Sequence, residues 1–194
     1  MTTQASARLI RDYEFGLPEL KLIKVTAEKS TEPNTPVIKI YPISDKRVIE
    51  SSDGQDFIAG VPGRFAYVDR DFEFFGLNTY SPATAETSLE VLDFNGDCPL
   101  HKIFYRISNN LEKIIISQTQ IIQFCKKYPE DLSRKYANFF ITRVELEYFV
   151  IRLYYLFDGF HFHVSPLRDK QNYWSYDNCR PRFVLKKRLP AEER

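Results

Sequence analysis

YFVIRLYYLFDGFHFHV, residues 148–164, places aromatic and β-branched residues on both sides of an Asp158-Gly159 pair, the strongest short-range signal for a β-hairpin. A two-residue loop at Asp158-Gly159 pairs Phe157 with Phe160, Tyr155 with Phe162 and Leu153 with Val164 on an apolar face. Leu156 with His161, Tyr154 with His163 and Arg152 with Ser165 then share the other face.

Working upstream, Phe140, Thr142, Val144, Leu146 and Tyr148 fall on one side of an extended chain. Past Glu147 the apolar parity changes to Ile151, Leu153, Tyr155 and Phe157. A turn or bulge near Glu145 to Glu147 is therefore needed to restore the core face. Further back, Ser117 stands three residues before Gln120 in a capping-box pattern. Ile121, Phe124, Cys125 and Tyr128 follow on one helical face, so an amphipathic helix is expected to lie on the sheet. His101 to Ile107 and Leu111 to Ile116 read as paired strands around Ser108-Asn109-Asn110. Ser81 and Pro82 read as the cap and first position of a helix over 83–92, and Phe65 to Asp69 and Phe72 to Phe75 as strands. Residues 1–35, ending in a polar run with two prolines, are expected to form an N-terminal arm or extension. A single α+β domain is expected over 36–194, as a mainly antiparallel twisted sheet with one or two helices packed on one face.

Composition narrows the classes of function. The 194 residues are 43% hydrophobic and 27% charged, ordinary for a globular chain, and 15% aromatic, an excess that favours strands. Twenty-seven basic against 26 acidic residues give a formal charge of +1, so the whole chain lacks the field of a dedicated duplex-DNA binder. Cys98, Cys125 and Cys179 are odd in number and widely spaced, which argues against a disulfide framework or a structural zinc site. With no apolar run of signal-peptide or membrane-spanning length, the expectation is a soluble, cytoplasmic protein without cofactors.

No segment has the spacing of a phosphate loop, metal-ligand cluster or nucleophile motif, so the candidate sites are surfaces. Tyr173, Trp174 and Tyr176 lie within four positions between polar flanks and read as a recognition loop. His161 and His163 form an H-x-H on one strand face, short of a metal site without a third ligand. The stretch Gly63 to Arg70, GRFAYVDR, resembles the aromatic strand motif of RNA-recognition domains. Arg64 stands where that family has glycine, and Arg70 replaces its last aromatic. The resemblance implies base stacking on Phe65 and Tyr67, with Val37 to Tyr41 as the partner strand and Ala83 to Leu92 as a helix. Arg64, Arg70 and the C-terminal Lys186, Lys187 and Arg188 would supply the backbone contacts. Phe183 and Leu185 alternate with those C-terminal charges as an edge strand would.

The function expected from these residues is that of a non-catalytic binding or interaction module. Single-stranded nucleic-acid binding is the alternative, and an enzyme with a scattered site is the third reading. The expected partner is a protein, with nucleic acid as the alternative, no membrane, and self-association allowed.

Overall fold

The computed structural model describes residues 39–42, 47–61, 65–95, 98–169, 173–174 and 179–187. The expected arm over 1–35 lies outside them. In chain order the strands are β1 (Lys39–Pro42), β2 (Arg47–Ile49), β3 (Tyr67–Val68), β4 (Thr87–Asn95), β5 (Cys98–Pro99), β6 (Tyr136–Val144), β7 (Glu147–Leu156), β8 (Gly159–Pro166), β9 (Tyr173–Trp174) and β10 (Arg180–Lys186). The helices are α1 (Asp71–Phe74), α2 (Leu100–Ile107) and α3 (Gln118–Lys127). The fold is mixed α/β. Its eight-stranded sheet runs β1, β4, β10, β6, β7, β8, β3, with β2 also paired to β4. Most pairs are antiparallel, but β10 with β6 and β3 with β8 are parallel. Among the described residues no helix is long and apolar enough to cross a membrane.

The run Phe139-Phe140-Ile141 shows why the sheet is buried on both sides. Side chains alternate across a strand, so Phe139 and Ile141 enter one core and Phe140 the other. On the first face, Phe140, Ile151, Leu153 and Phe162 pack against Ile121, Ile122 and Phe124 of α3. On the second, Phe139, Ile141, Val150 and Phe183 meet Leu100, Ile103, Phe104 and Ile107 of α2. Each such side chain contributes roughly 1.5–3 kcal/mol by leaving water. The expected arrangement of helices on one face is thus corrected: α2 and α3 cover opposite faces.

The capping box forms as expected. Ser117 Oγ accepts from the Gln120 amide, and Gln120 Oε1 accepts from the Ser117 amide at 2.9 Å. Gln120 Nε2 also donates to Thr87 Oγ1 at 2.9 Å, tying the start of α3 to β4.

Several local expectations are overturned. Residues 83–92 form no helix: from Thr87 the chain is strand β4, with Leu89 and Val91 in one core and Leu92 and Phe94 in the other. His101 to Ile107 is helix α2, because Leu100, Ile103, Phe104 and Ile107 recur at helical spacing and all are buried. Leu111–Lys113 is a 3-10 turn, and Phe72 to Phe74 belongs to the one-turn helix α1.

The strand β10 is central rather than an edge. Arg182 makes this possible, with a side chain only 5% exposed. Its Nε donates to Asp93 Oδ1 at 3.2 Å, its Nη1 to the Asp131 carbonyl at 3.0 Å, and its guanidinium lies 3.6 Å from the Tyr136 ring centre. A charge surrounded by this many partners can be buried.

Chain reversal between β6 and β7 occurs at Glu145-Leu146, with Val144 opposite Glu147. This turn accounts for the change in apolar parity. Between β7 and β8 the register differs from expectation by two residues. Tyr155 faces Phe160, Leu153 faces Phe162, Tyr154 faces His161 and Arg152 faces His163, around a turn at Phe157-Asp158. Only Gly159 of the Asp-Gly pair has positive φ, at 131°. A type I′ loop would need both. The two-residue slip preserves every face assignment, and it leaves Phe157 86% exposed at the tip rather than in the core.

Candidate functional site

The second face of the sheet is covered by α2 over β6 and the near half of β7. Toward β8 and β3 its side chains change from apolar to ring-bearing and polar. Alternation brings Arg152 and Tyr154 of β7 to this face, and the observed register sets His163 and His161 opposite them. The parallel pairing of β3 with β8 adds Tyr67 opposite His161. The Tyr67 ring stacks on His161 at 5.6 Å and an interplanar angle of 24°, and lies 5.1 Å from His163. Tyr154 meets His163 edge-on at 5.6 Å. Tyr67 is 41% exposed, so one ring of this cluster is open to a ligand.

Two carboxylates hold the histidines. His161 Nε2 lies 2.7 Å from Asp158 Oδ1, and His163 Nδ1 lies 3.5 Å from Asp69 Oδ2. The His161 hydrogen bond keeps the Asp158 carboxyl below its ordinary pKa. Burial, with Arg152 adding to it, pushes the His163 imidazole below its ordinary 6.5, against the opposing pull of Asp69. Burial also pushes the Tyr154 hydroxyl up, although Arg152 works the other way. On the same face, Arg152 Nε and Ser165 Oγ are buried without a hydrogen-bond partner among the described residues.

These groups offer stacking, hydrogen bonding and one guanidinium rather than an evident reaction. Ser165 Oγ has no hydrogen bond to His163, so the activation that a serine nucleophile requires is missing. The Cys125 thiol, buried on the core face of α3, is pushed up to about 12 and is no nucleophile. Among the described residues no group of three histidine, cysteine or acidic side chains is placed to hold a metal, His161 and His163 included.

Of the other residues singled out in the sequence, Phe65 packs inward against Phe162, with ring centres 4.6 Å apart. Arg70 is exposed just before α1. Lys186 and Lys187 lie at the end of β10, four strand spacings from β3 in the sheet order, or about 19 Å. Tyr67 is therefore not gathered with Phe65 or with those lysines, and Arg64 and Arg188 fall outside the described residues. The strand expected to partner it, β1, occupies the opposite edge of the sheet. The backbone of Tyr173 and Trp174 forms β9, paired with Cys98 and Pro99 rather than lying in an open loop; Tyr176 is outside the described residues.

Reasoning from the sequence misses Arg152, Tyr154, Asp69, Asp158 and Ser165 as site residues. Alternation alone assigns Arg152, Tyr154 and Ser165 to the face of the histidines. The pairing of β3 with β8 is a long-range event that no local pattern encodes.

A cleft of about 350 Å³ lies elsewhere, lined by His101, Tyr105, Leu146, Tyr148, Leu167 and Arg168. On its rim Arg168 bonds Glu147 at 2.8 Å, and the lining Tyr148 hydroxyl donates to Glu112, which also pairs with Arg143 outside the cleft. The Tyr148 hydrogen bond, with that of Arg143, holds the Glu112 carboxyl below its ordinary range.

In comparisons with known proteins, no family model, no curated protein and no solved structure matches this chain.

Proposed function

We propose that this protein is a non-catalytic binding module, and that its ligand is engaged on the ring-bearing face formed by β7, β8 and β3. The observation that carries this reading is Tyr67, an exposed ring held against His161 and His163 and fixed from behind by two imidazole–carboxylate pairs. A ring immobilised before binding loses little entropy when a second ring stacks on it.

Single-stranded nucleic acid is the second reading, favoured by the same tyrosine, since every base has a face that stacks. The distribution of charge argues against it. Asp69 and Asp158 sit beside the histidines, and the C-terminal lysines lie several strands away, so among the described residues no basic track follows a phosphate backbone past Tyr67.

The test is a titration of the protein with neutral planar probes, indole and adenosine, followed by NMR of the histidine side chains. His161 and His163 signals are expected to shift together, and the Tyr67→Ala variant to show no shift. Absence of any shift with either probe would remove this face as the binding site. A mixed 12-nucleotide oligonucleotide binding far more tightly at low than at high salt would favour the second reading.

A further inference from the structure

We propose that the same face contains an oxyanion pocket built from Arg152 and Ser165, which takes a ligand carrying one phosphate or carboxylate beside a planar ring. This rests on the reading that the ring-bearing face binds a ligand and names the chemistry of that ligand. Among the described residues, Arg152 Nε and Ser165 Oγ are the two buried side-chain polar atoms of β7 and β8 on this face that have no hydrogen-bond partner, although the Arg152 side chain also bonds Tyr154. Leaving such donors unmet costs stability unless something supplies an acceptor.

Their placement suits a shared acceptor. Arg152 stands opposite His163 and Val150 opposite Ser165, so Arg152 and Ser165 are diagonal neighbours on one face, about 7–8 Å apart at the backbone. A guanidinium side chain spans much of that distance. An oxygen-bearing anion between them can accept from both, which an apolar group cannot do.

Charge sets a limit on the ligand. Arg152 is the one arginine of the cluster, and Asp69 and Asp158 flank the histidines. Arg152 can meet one anionic group directly, and the two carboxylates repel a chain of them. The Tyr67 ring, 5.1 Å from His163, sits where the planar part of the same ligand would stack.

The experiment compares matched probes on the full chain by calorimetry at fixed ionic strength: adenosine with adenosine 5′-monophosphate, and 3-methylindole with indole-3-acetate. The anionic member of at least one pair is expected to bind about tenfold more tightly, the effect of one hydrogen bond to a charged group. The phosphate and carboxylate pairs separate the two sources of the anion. Arg152→Gln should abolish the advantage, so that the two members of a pair bind alike, and Ser165→Ala should reduce it. Tyr67→Ala should weaken both members of a pair. Equal affinity within both pairs, or an advantage that survives Arg152→Gln and Ser165→Ala, overturns the pocket while leaving the ring face as a binding surface. Failure of every probe, neutral ones included, overturns both. Should Arg152→Gln not fold, Ser165→Ala decides the matter alone, since it removes a single hydroxyl.

Discussion

Arg152 and His163 face each other across β7 and β8, a guanidinium directly opposite an imidazole. Burial and this neighbouring positive charge together keep the imidazole harder to protonate than a free histidine. A histidine whose folded pKa is lowered takes up its proton more readily in the unfolded chain. Its contribution to stability is therefore intact above the ordinary pKa of 6.5 and is lost as the pH falls below that value. The melting temperature of the native protein is expected to drop between pH 7 and pH 5.5, and His163→Gln to flatten that drop. Parallel curves for the two proteins would show that His163 has no part in it.

Glu145 occupies the left-handed region, with φ 52°, at the tight turn between β6 and β7. A side chain with a Cβ is disfavoured there, and asparagine tolerates it best among residues other than glycine. Glu145→Asn should stabilise the fold by about 0.5–1 kcal/mol, read as a higher urea midpoint with an unchanged slope. Gly159 makes the opposite case. Its φ is 131°, and a Cβ at this position would stand only 3.2 Å from that of Ala66, so Gly159→Val should cost roughly 1–3 kcal/mol.

Burial of Arg182 between Asp93 and Asp131 carries a further prediction. Truncation to alanine leaves the Asp93 carboxylate without its cation, while Asp131 keeps Arg47 at 2.8 Å, and about 3–5 kcal/mol should be lost in urea denaturation at pH 7. Burial already raises the Asp93 pKa, and loss of Arg182 removes the main opposing influence. The deficit should accordingly shrink as the pH falls through the carboxylate range and Asp93 becomes neutral. A deficit independent of pH would mean that packing, not charge, holds Arg182 in place.

Thiol chemistry offers a separate check. All three cysteines are free. In the native protein at pH 8, Cys179, the only one partly exposed, should react first with a disulfide reagent, while Cys125, raised to about 12, stays inert. Denaturation without reductant should release three thiols. Fewer than three would reveal a bridge that the fold does not have.

What can be read from the chain depends on how far apart the determining residues lie. The cap of α3 is legible because Ser117 and Gln120 are three positions apart and satisfy each other. The reversal near Glu145 is legible from parity alone. In contrast, β10 reads locally as an edge because its arginine is neutralised by Asp93 and Asp131, 89 and 51 positions away. The helix α2 reads as a strand although its apolar residues recur at helical spacing, since aromatic and β-branched residues suggest strands. As for the candidate site, the histidines and Tyr67 each stand out separately. Only the pairing of β3 with β8 makes them neighbours, and the unmet polar atoms of Arg152 and Ser165 become visible only once the two-residue register is known.

The central place of β10 also bears on how the molecule is made. Residues 180–186 lie between β4 and β6, which are synthesised long before them. While the chain is still emerging from the ribosome, β4 and β6 each present an unpaired edge, and the apolar side chains that Phe183, Val184 and Leu185 will cover stay open to other chains. The nascent protein is thus exposed to aggregation until β10 appears, the last strand among the described residues.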